Sequence, residues 1–282
     1  MRFHKERTTI VSLNDEPLQL DTIQKALGRS LFAGNFVYRE SVDSTNTVAR
    51  ALADQGSPEG TVVAAEEQTS GRGRLGRGWV SPPGANLLFS LLLRPSLEPE
   101  NVFILTMILA LASIDAIKEL THLNCLIKWP NDLYLKRKKL AGILTEFSVR
   151  GKSVEHVILG LGLNVHWHPD SGTNVARQAT SLFRETGLKT DRSELLVRII
   201  KAFEDYYGHV KQGKNDSYYK RWNKLCLVLG KQVVIESSQG EIHGVALEID
   251  RQGALMIRDH KGTEQRITSG DVSVKWDEVG SC

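Results

Sequence analysis

Residues 71–78 read Gly-Arg-Gly-Arg-Leu-Gly-Arg-Gly, and Trp79 follows them directly. This stretch, called the Gly/Arg loop below, cannot form a core, because glycine carries no apolar surface and arginine is costly to bury unpaired. Glycine lets the backbone approach a polyanion closely, while arginine offers planar donors that match phosphate oxygens. The stretch therefore predicts a loop that binds phosphate.

Apolar runs on both sides of the loop predict buried strands. Residues 61–66 and 87–93 are each short enough to be strands buried on both faces. A helix is predicted from residue 101 to about 120. Residues 125–134 then predict a strand broken at Pro130, because proline cannot donate to a central ladder.

The remaining elements follow from turn signals. Residues 136–139 predict a hairpin turn, followed by a return strand over 140–147 and a further strand over 157–165. Towards the N-terminus we expect a helix over 20–27 that ends at Gly28, a strand over 38–42, and a helix capped by Asp43 or Ser44 and stopped by Gly56 and Pro58.

The sequence pattern changes in the C-terminal part of the chain. Helical patterns occupy most of residues 191–225. After residue 229, short alternating runs at 232–236, 241–249, 254–258 and 272–276 are separated by turns, which predicts a small antiparallel barrel. The boundary is expected near residue 228.

Composition limits the class of protein. The 282 residues are 41% hydrophobic and 24% charged, with 36 basic against 33 acidic side chains, and the net charge of +3 is small for a protein that binds nucleic acid through charge alone. Cys125, Cys226 and Cys282 have no metal-ligand or disulfide spacing, which favours the cytoplasm. The N-terminus lacks the apolar stretch of a secretory signal. Residues 102–112 are shorter than the roughly 20 that span a membrane, so we expect a core helix and no membrane partner.

Two common phosphate motifs are excluded. No Gly-Lys-Ser/Thr ending follows the Gly/Arg loop, as a Walker loop requires, and the βαβ spacing of a dinucleotide-binding fold is missing. His166, His168 and Asp170 are weak evidence for a metal site, since such histidines are more often plain loop residues. No metal ligand is assigned.

Several other motifs accompany the loop in a fixed order. They are Ser44-Thr45-Asn46, Gln68, KWPNDL at 128–133, KKLAGIL at 138–144 and GLGLN at 160–164. Together with the Gly/Arg loop they closely resemble the bacterial biotin–protein ligases, also called biotin–[acetyl-CoA-carboxylase] ligases. The resemblance covers roughly residue 36 to the C-terminus.

The resemblance implies an α+β fold like that of class II aminoacyl-tRNA synthetases. It has a mixed, largely antiparallel sheet with flanking helices, plus a small C-terminal SH3-like β-barrel. The implied organisation is an N-terminal arm at 1–36, a catalytic biotin- and ATP-binding domain at 37–228 and the SH3-like domain at 229–282. About 35 residues precede the ligase region, without a recognition-helix pattern, so we expect the ligase-only form and no DNA binding.

The implied reaction has two steps. Biotin and ATP give biotinyl-5′-AMP and pyrophosphate, and a lysine of a biotin carboxyl carrier protein then takes the biotinyl group. ATP and Mg²⁺ are the implied cofactors, and a homodimer is compatible with the family. A carboxylate that approaches a triphosphate meets like-charge repulsion, which preorganised cations lower most in a dry site.

The resemblance assigns residues to three roles. The implied biotin contacts are Ser44, Thr45, Asn46, Gln68, Arg72, Gly73, Arg74, Lys139, Gly142 and Gly160. The implied nucleotide contacts are Arg74, Trp79, Lys128, Asn131, Asp132 and Asn164. The implied catalytic residues are Arg72, Arg74, Lys128, Lys139 and Asp132. Gly162 is expected to be a further small residue of the wall, and the loop from residue 168 to about 180 is expected to close over adenine.

Each assignment has a plainer alternative. Residues 44–46 are common helix caps, Gln68 is an ordinary strand-end residue, Trp79 could pack the loop base onto the domain, and Pro130 could be only a kink. Residues 136–138 fit a solvated basic turn. At the level of function the alternatives are a lipoate or octanoate ligase, a nucleic-acid-binding module with an RGG-like segment, and a biotin-binding protein without activity.

Overall fold

The computed structural model describes residues 16–167, 178–237 and 240–274. Its α-helices are α1 (Leu20–Leu27), α2 (Thr45–Asp54), α3 (Phe103–Thr121), α4 (Leu182–Thr186), α5 (Arg192–Lys211) and α6 (Asp216–Leu225). Its strands are β1 (Phe36–Val42), β2 (Val62–Gln68), β3 (Asn86–Leu93), β4 (Leu126–Lys128), β5 (Asp132–Leu135), β6 (Lys138–Arg150), β7 (Ser153–Asn164), β8 (Gln232–Ser237), β9 (Gly240–Ile249), β10 (Leu255–Arg258), β11 (Glu264–Ile267) and β12 (Asp271–Val274).

The first seven strands form one sheet in the order β1-β2-β3-β7-β6-β5-β4. The β1–β2 pair is parallel and the other pairs are antiparallel. The expected mixed, largely antiparallel sheet with flanking helices is therefore confirmed. The expected break at Pro130 separates β4 from β5, and the turn between β5 and β6 is narrower than predicted, because only Lys136 and Arg137 leave the strands, both with positive φ.

Alternating side chains bury the two faces of this sheet against different helices. Leu91, Leu93 and Leu159 join the large core under α3 and α5. Leu92 and Ile158 point the opposite way and pack with Ala49 of α2. Because successive side chains of a strand alternate between faces, Ser90, Gly160 and Gly162 lie on the α2 face.

Helix α3 is the central helix of the large core. It has the length and apolar composition of a membrane span, yet 78% of its most apolar window is buried inside the protein. Residues 104–114 are all buried against the sheet and α5. The predicted buried core helix from residue 101 to about 120 is confirmed, since α3 spans Phe103–Thr121.

The described part of the N-terminal arm packs on the main core through Leu18, Ile23 and Leu27. Glu66 of β2 holds Leu18 in place by accepting a hydrogen bond from its amide (2.8 Å). The same carboxylate accepts from the Tyr38 hydroxyl of β1 (3.0 Å). Burial, together with the Glu66 charge, raises the pKa of Tyr38 to about 12. Arg192 Nη1 lies 2.7 Å from Glu66 Oε2, and this ion pair is buried.

The last five strands form a separate antiparallel sheet in the order β11-β10-β9-β8-β12. Strand β11 was missed by the sequence reading, because Glu264–Ile267 has a single buried residue. The edge strands β11 and β12 do not pair in this sheet. Helix α6 ends at Leu225 and β8 begins at Gln232, on either side of the predicted boundary near 228. The boundary and the SH3-like barrel stay predictions.

Two hydrogen bonds join the C-terminal part of the chain to the KWPNDL segment and to Ile127, the residue before it. The buried indole of Trp129 donates to the Gly253 carbonyl (2.8 Å), and the Leu227 amide donates to the Ile127 carbonyl (2.8 Å). Trp129 precedes Pro130, so the turn between β4 and β5 rests directly on the second sheet. The predicted kink at Pro130 thus has a packing role.

Removing Arg192 should destabilise the fold strongly. Arg192→Met leaves the Glu66 carboxylate buried without its cation, for which we expect a loss of about 3 kcal/mol in the free energy of unfolding. The control is Arg198→Met, which removes the partly exposed pairs with Glu119 and Glu194 and should cost less than about 1 kcal/mol. Urea titration at pH 7 measures both, and equal losses would contradict the assigned role of the buried pair.

Candidate active site

A row of small residues on the α2 face of the sheet forms the floor of a cleft. Across the strands, Ser90 pairs with Gly160, and Gly142 pairs with both Gly162 and Asp132. Glycine leaves no side chain above the sheet, so a ligand or a neighbouring side chain can lie on the strands themselves. The floor is a groove that runs across β5, β6 and β7.

Two glycines of the floor admit specific side chains. A Cβ built on Gly160 would lie 2.0 Å from Asn46 Oδ1, and one on Gly162 would lie 2.6 Å from Trp79 Cε2. Both distances are far below van der Waals contact, so neither neighbour could hold its place over an alanine. The positions of Asn46 and Trp79 therefore depend on these glycines.

The start of α2 is fixed from outside the helix. Ser44 occupies the N-cap position, as predicted, although its side chain makes no capping hydrogen bond. Gln68 Oε1 accepts hydrogen bonds from the Thr45 amide (2.8 Å) and the Thr45 hydroxyl (3.0 Å). Gln68 also lines the cleft.

Ser90 and Glu146 belong to this polar network and were not singled out from the sequence. The Ser90 hydroxyl lies 2.8 Å from Thr45 Oγ1 and 2.7 Å from Asn46 Oδ1, and the Asn46 amide donates to Glu146 Oε2 (2.8 Å). Ser90 is the polar residue inside the apolar run 87–93, a signal that could have indicated a role. Glu146 has no comparable signal in the sequence.

Lys139 and Asp132 form an ion pair in the cleft, with Lys139 Nζ 2.8 Å from Asp132 Oδ1. Gly142 gives this pair room, because a Cβ there would come within 3.3 Å of both side chains. Lys139 Nζ also lies 5.6 Å from the Trp79 ring centre, a cation–π distance. The pair thus meets Trp79 at one end of the floor.

The Gly/Arg loop folds back on itself. The Trp79 amide donates to the Gly71 carbonyl (2.8 Å) and the Gly73 amide donates to the Arg77 carbonyl (2.7 Å). Leu75 at its tip has a φ of 56°, a left-handed conformation that is unusual for leucine. The loop is therefore a compact turn over the cleft.

The arginines of the loop have different surroundings. Arg72 Nη2 lies 3.3 Å from Thr47 Oγ1 and 3.4 Å from Glu146 Oε2, while Arg77 Nη2 lies 2.7 Å from Asp271 Oδ2. The Arg74 guanidinium has no hydrogen-bond or ion-pair partner among the described residues. Burial lowers the pKa of the Arg74 guanidinium, against the opposing effect of the Asp132 and Asp271 charges. Arg74 is thus a partly desolvated cation within the cleft.

The second sheet contributes Asp271, which the sequence reading missed. Asp271 Oδ2 binds Arg77, and Asp271 Oδ1 lies 4.0 Å from Lys128 Nζ. The hydrogen bond to Asp271 raises the pKa of Arg77. Asp271 and Arg77 are separated by 194 residues, so only the folded structure reveals that the second sheet closes one side of the cleft.

The cleft is open to solvent. Most of the predicted site residues line it together: Ser44, Thr45, Asn46, Gln68, Arg72, Gly73, Arg74, Trp79, Asn131, Asp132, Lys139, Gly142 and Gly160. Lys128 is not part of the lining, and its Nζ lies 4.0 Å from Oδ1 of Asp271, which is part of it.

Two of the predicted nucleotide contacts are held by backbone carbonyls. Asn131 donates its amide to the Ile143 carbonyl (2.5 Å) and still lines the cleft. Asn164 is buried outside the lining and donates to the Thr180 carbonyl (3.0 Å). Its contact with nucleotide stays a prediction. His168, Asp170 and most of the loop expected to close over adenine lie outside the described residues.

Comparison with known proteins identifies the class. Residues 38–164 match the biotin/lipoate A/B protein ligase family, and residues 228–275 match the biotin protein ligase C-terminal domain. The chain is 33% identical over 253 residues to the bifunctional ligase/repressor BirA of Bacillus subtilis, covering 89% of this chain and 78% of that protein. It is 35% identical over 230 residues to the biotin–[acetyl-CoA-carboxylase] ligase of Paracoccus denitrificans, covering 79% and 93%.

A solved structure of the biotin protein ligase from Aquifex aeolicus in complex with biotin and ATP superposes with a TM-score of 0.73 at 31% identity. It covers 86% of this chain and 99% of that one. The chain belongs to the biotin protein ligase family.

The floor can be tested by adding one methyl group. Gly160→Ala should displace Asn46, break its contact with Ser90 and cost about 1–3 kcal/mol in the free energy of unfolding. The control is Gly208→Ala in α5, where the new Cβ meets nothing within 4 Å and alanine should stabilise the helix by about 0.5–1 kcal/mol. Thermal and urea unfolding measure the stability of both variants. An unchanged free energy of unfolding for Gly160→Ala would contradict the role assigned to Gly160.

Proposed function

We propose that this chain is an ATP-dependent biotin–protein ligase, which forms biotinyl-5′-AMP and transfers biotin to a lysine of a biotin carboxyl carrier protein. One observation carries the proposal. A single cleft joins a neutral hydrogen-bonding network around a glycine floor to a group of cations, and biotin presents a neutral ureido ring and a carboxylate in the same arrangement.

The neutral end fits the ureido ring. Thr45, Asn46, Gln68 and Ser90 are held by mutual hydrogen bonds, so their remaining donors and acceptors have fixed directions. Such a site discriminates strongly against a ligand that cannot form these bonds, because buried polar groups would be left unpaired. The hydrocarbon and dithiolane of lipoate and the chain of octanoate offer no such partners, which favours biotin over these alternatives.

The cationic end fits the first chemical step. A biotin carboxylate oxygen attacks the α-phosphorus of ATP, a new O–P bond forms, and the bond to pyrophosphate breaks. Lys139 can neutralise the attacking carboxylate, while Arg72 and Arg74 stabilise the phosphate charge that develops. Partial burial of Arg74 strengthens this attraction, since charges interact more strongly away from water.

The second step transfers the biotinyl group. The amine of the carrier lysine attacks the acyl carbon, AMP leaves, and the amine loses a proton. Asp132 is a carboxylate beside Lys139 that can orient the incoming amine or Lys139 itself. Trp79 and the Gly/Arg loop cover the cleft, and their role is to keep water from the mixed anhydride.

Mg²⁺ would accompany ATP. It is commonly held by one or two carboxylates and the substrate phosphates, and Asp132 and Asp271 are two carboxylates of the lining near Arg74. Two carboxylates match the number that commonly holds Mg²⁺ together with substrate phosphates. When bound, the ion would supply further neutralisation of the phosphate charge. Within the residues that the structure describes, no group of three His, Cys, Asp or Glu side chains forms a metal site.

The same proposal includes the partners and the compartment. Carrier protein, biotin and ATP are the required partners, a homodimer is compatible with the family, and DNA and membrane binding are not part of the proposal. The cytoplasm supplies ATP and keeps thiols reduced. Burial raises the pKa of Cys125 to about 12 and of Cys226 to about 11, so both thiols stay protonated at neutral pH.

Pyrophosphate exchange tests the proposed function directly. Purified protein with Mg²⁺ and ATP should exchange labelled pyrophosphate into ATP when biotin is added, and lipoate or octanoate should not replace biotin. A carrier domain added afterwards should become labelled with biotin. Exchange that does not depend on biotin, or that prefers lipoate, would reject the assignment.

Lys139 should be required for the first step. Lys139→Gln removes the cation beside the reacting carboxylate, and we expect kcat/KM of biotin-dependent exchange to fall by about 10²–10³-fold. The matched control is Lys136→Gln. Lys136 also forms a 2.8 Å ion pair, with Glu185, but lies outside the cleft, and its loss should change the rate by less than about twofold. Equal effects would show that the Lys139 charge has no special role.

A further inference from the structure

Glu146 joins the two sides of the neutral end of the cleft. Its Oε2 accepts from Asn46 Nδ2 at the start of α2 (2.8 Å) and lies 3.4 Å from Arg72 Nη2 of the Gly/Arg loop. Its Oε1 accepts from Arg50 Nη2 one turn further along α2 (2.8 Å). The side chain is only 19% exposed, and Glu146 is not part of the cleft lining. Glu146 therefore acts on the cleft only through its neighbours.

The contacts of Asn46 show what this carboxylate does. The two amide protons of Asn46 go to Glu146 Oε2 and to the Leu144 carbonyl (3.2 Å), and its Oδ1 lies 2.7 Å from the Ser90 hydroxyl. The reversed amide would place its oxygen against two acceptor oxygens, one of them charged. A carboxylate accepts hydrogen bonds and cannot donate them. Glu146 and the Leu144 carbonyl together thus fix the orientation of the Asn46 amide.

The fixed orientation leaves a particular group over the floor. Asn46 Oδ1 lies directly above Gly160, where a Cβ would approach it to 2.0 Å. A carbonyl oxygen has two lone pairs, so one remains after Ser90 has donated its proton. The cleft therefore offers an acceptor at this point, which suits an N–H group of a ureido ring.

Glu146 also balances charge at this edge. Arg50 and Arg72 both contact its carboxylate, so one negative charge holds two guanidinium groups that would otherwise repel each other. Among the described residues, the Arg72 guanidinium has one other hydrogen-bond partner, Thr47 Oγ1 at 3.3 Å. Loss of the Glu146 charge would release Arg72 from its position beside α2.

We propose that Glu146 is a positioning residue for biotin: its carboxylate orients the Asn46 amide so that the amide oxygen accepts from the ureido ring, and it holds Arg72 at the same edge. This inference rests on the proposed function and extends it to a residue that does not touch the substrate.

The test is Glu146→Gln, which keeps the size of the side chain, removes its charge and adds a donor. We expect KM for biotin to rise about tenfold in pyrophosphate exchange and kcat to fall as Arg72 loses its position, with KM for ATP changed less than about twofold. The matched control is Glu155→Gln on β7, a carboxylate that binds Ser148 and Arg150 outside the cleft, for which KM for biotin should not change.

A double-mutant cycle separates positioning from a general structural effect. If Glu146 acts mainly through Asn46, Glu146→Gln should raise KM for biotin less than about threefold once Asn46→Ala is present. Independent, multiplicative effects would overturn the proposal, as would a parallel rise in KM for ATP. Thermal unfolding identifies a variant that fails to fold, and Glu146→Asp, which keeps the charge but shortens its reach, then serves as the second variant with the same expected rise.

Failure of the proposed function and failure of the Glu146 role give different results. A wild-type protein without biotin-dependent exchange would reject the proposed function itself. A wild-type protein with that exchange, together with an unchanged KM for biotin in Glu146→Gln, would reject only the role of Glu146.

Discussion

Close approach to the backbone of a central sheet is the constraint on which this site depends. A ligand can lie on interior strands only where those strands lack side chains, and Gly142, Gly160 and Gly162 provide this in adjacent register on β6 and β7. Asn46 and Trp79 use the same space, since each would collide with a Cβ at the glycine beneath it. The groove, its polar end and its aromatic cover therefore all depend on the same three positions.

A buried polar network of this kind is tolerated only because its members satisfy one another. Thr45, Asn46, Gln68 and Ser90 are joined in one network, and Glu146 extends it to two arginines. An unsatisfied group in such a network costs about 1–3 kcal/mol, so the network holds together as a unit. Specific recognition and local rigidity then have one physical origin.

The sequence predicted buried strands of the large sheet because a short apolar run indicates burial on both faces, as residues 87–93 illustrate. It also predicted most of the lining, because long motifs carry the resemblance to the ligases. It could not predict partners that are distant in the chain: Glu146 lies 100 residues from Asn46, and Asp271 lies 194 residues from Arg77. The N-cap position of Ser44 was predicted, but the acceptor of the Thr45 amide was not, since Gln68 acts on α2 from a strand 23 residues away.

The contact between Asp271 and Arg77 gives the second sheet a thermodynamic part in the cleft. A ligand that binds only when both sheets are in place stabilises the folded protein by RT ln(1 + [L]/Kd), and this free energy is shared by every element that must be folded for binding. The second sheet is also tied to the KWPNDL turn through Trp129 and Gly253. For such a ligand, occupancy of the cleft and resistance of the C-terminal strands to unfolding are linked quantities.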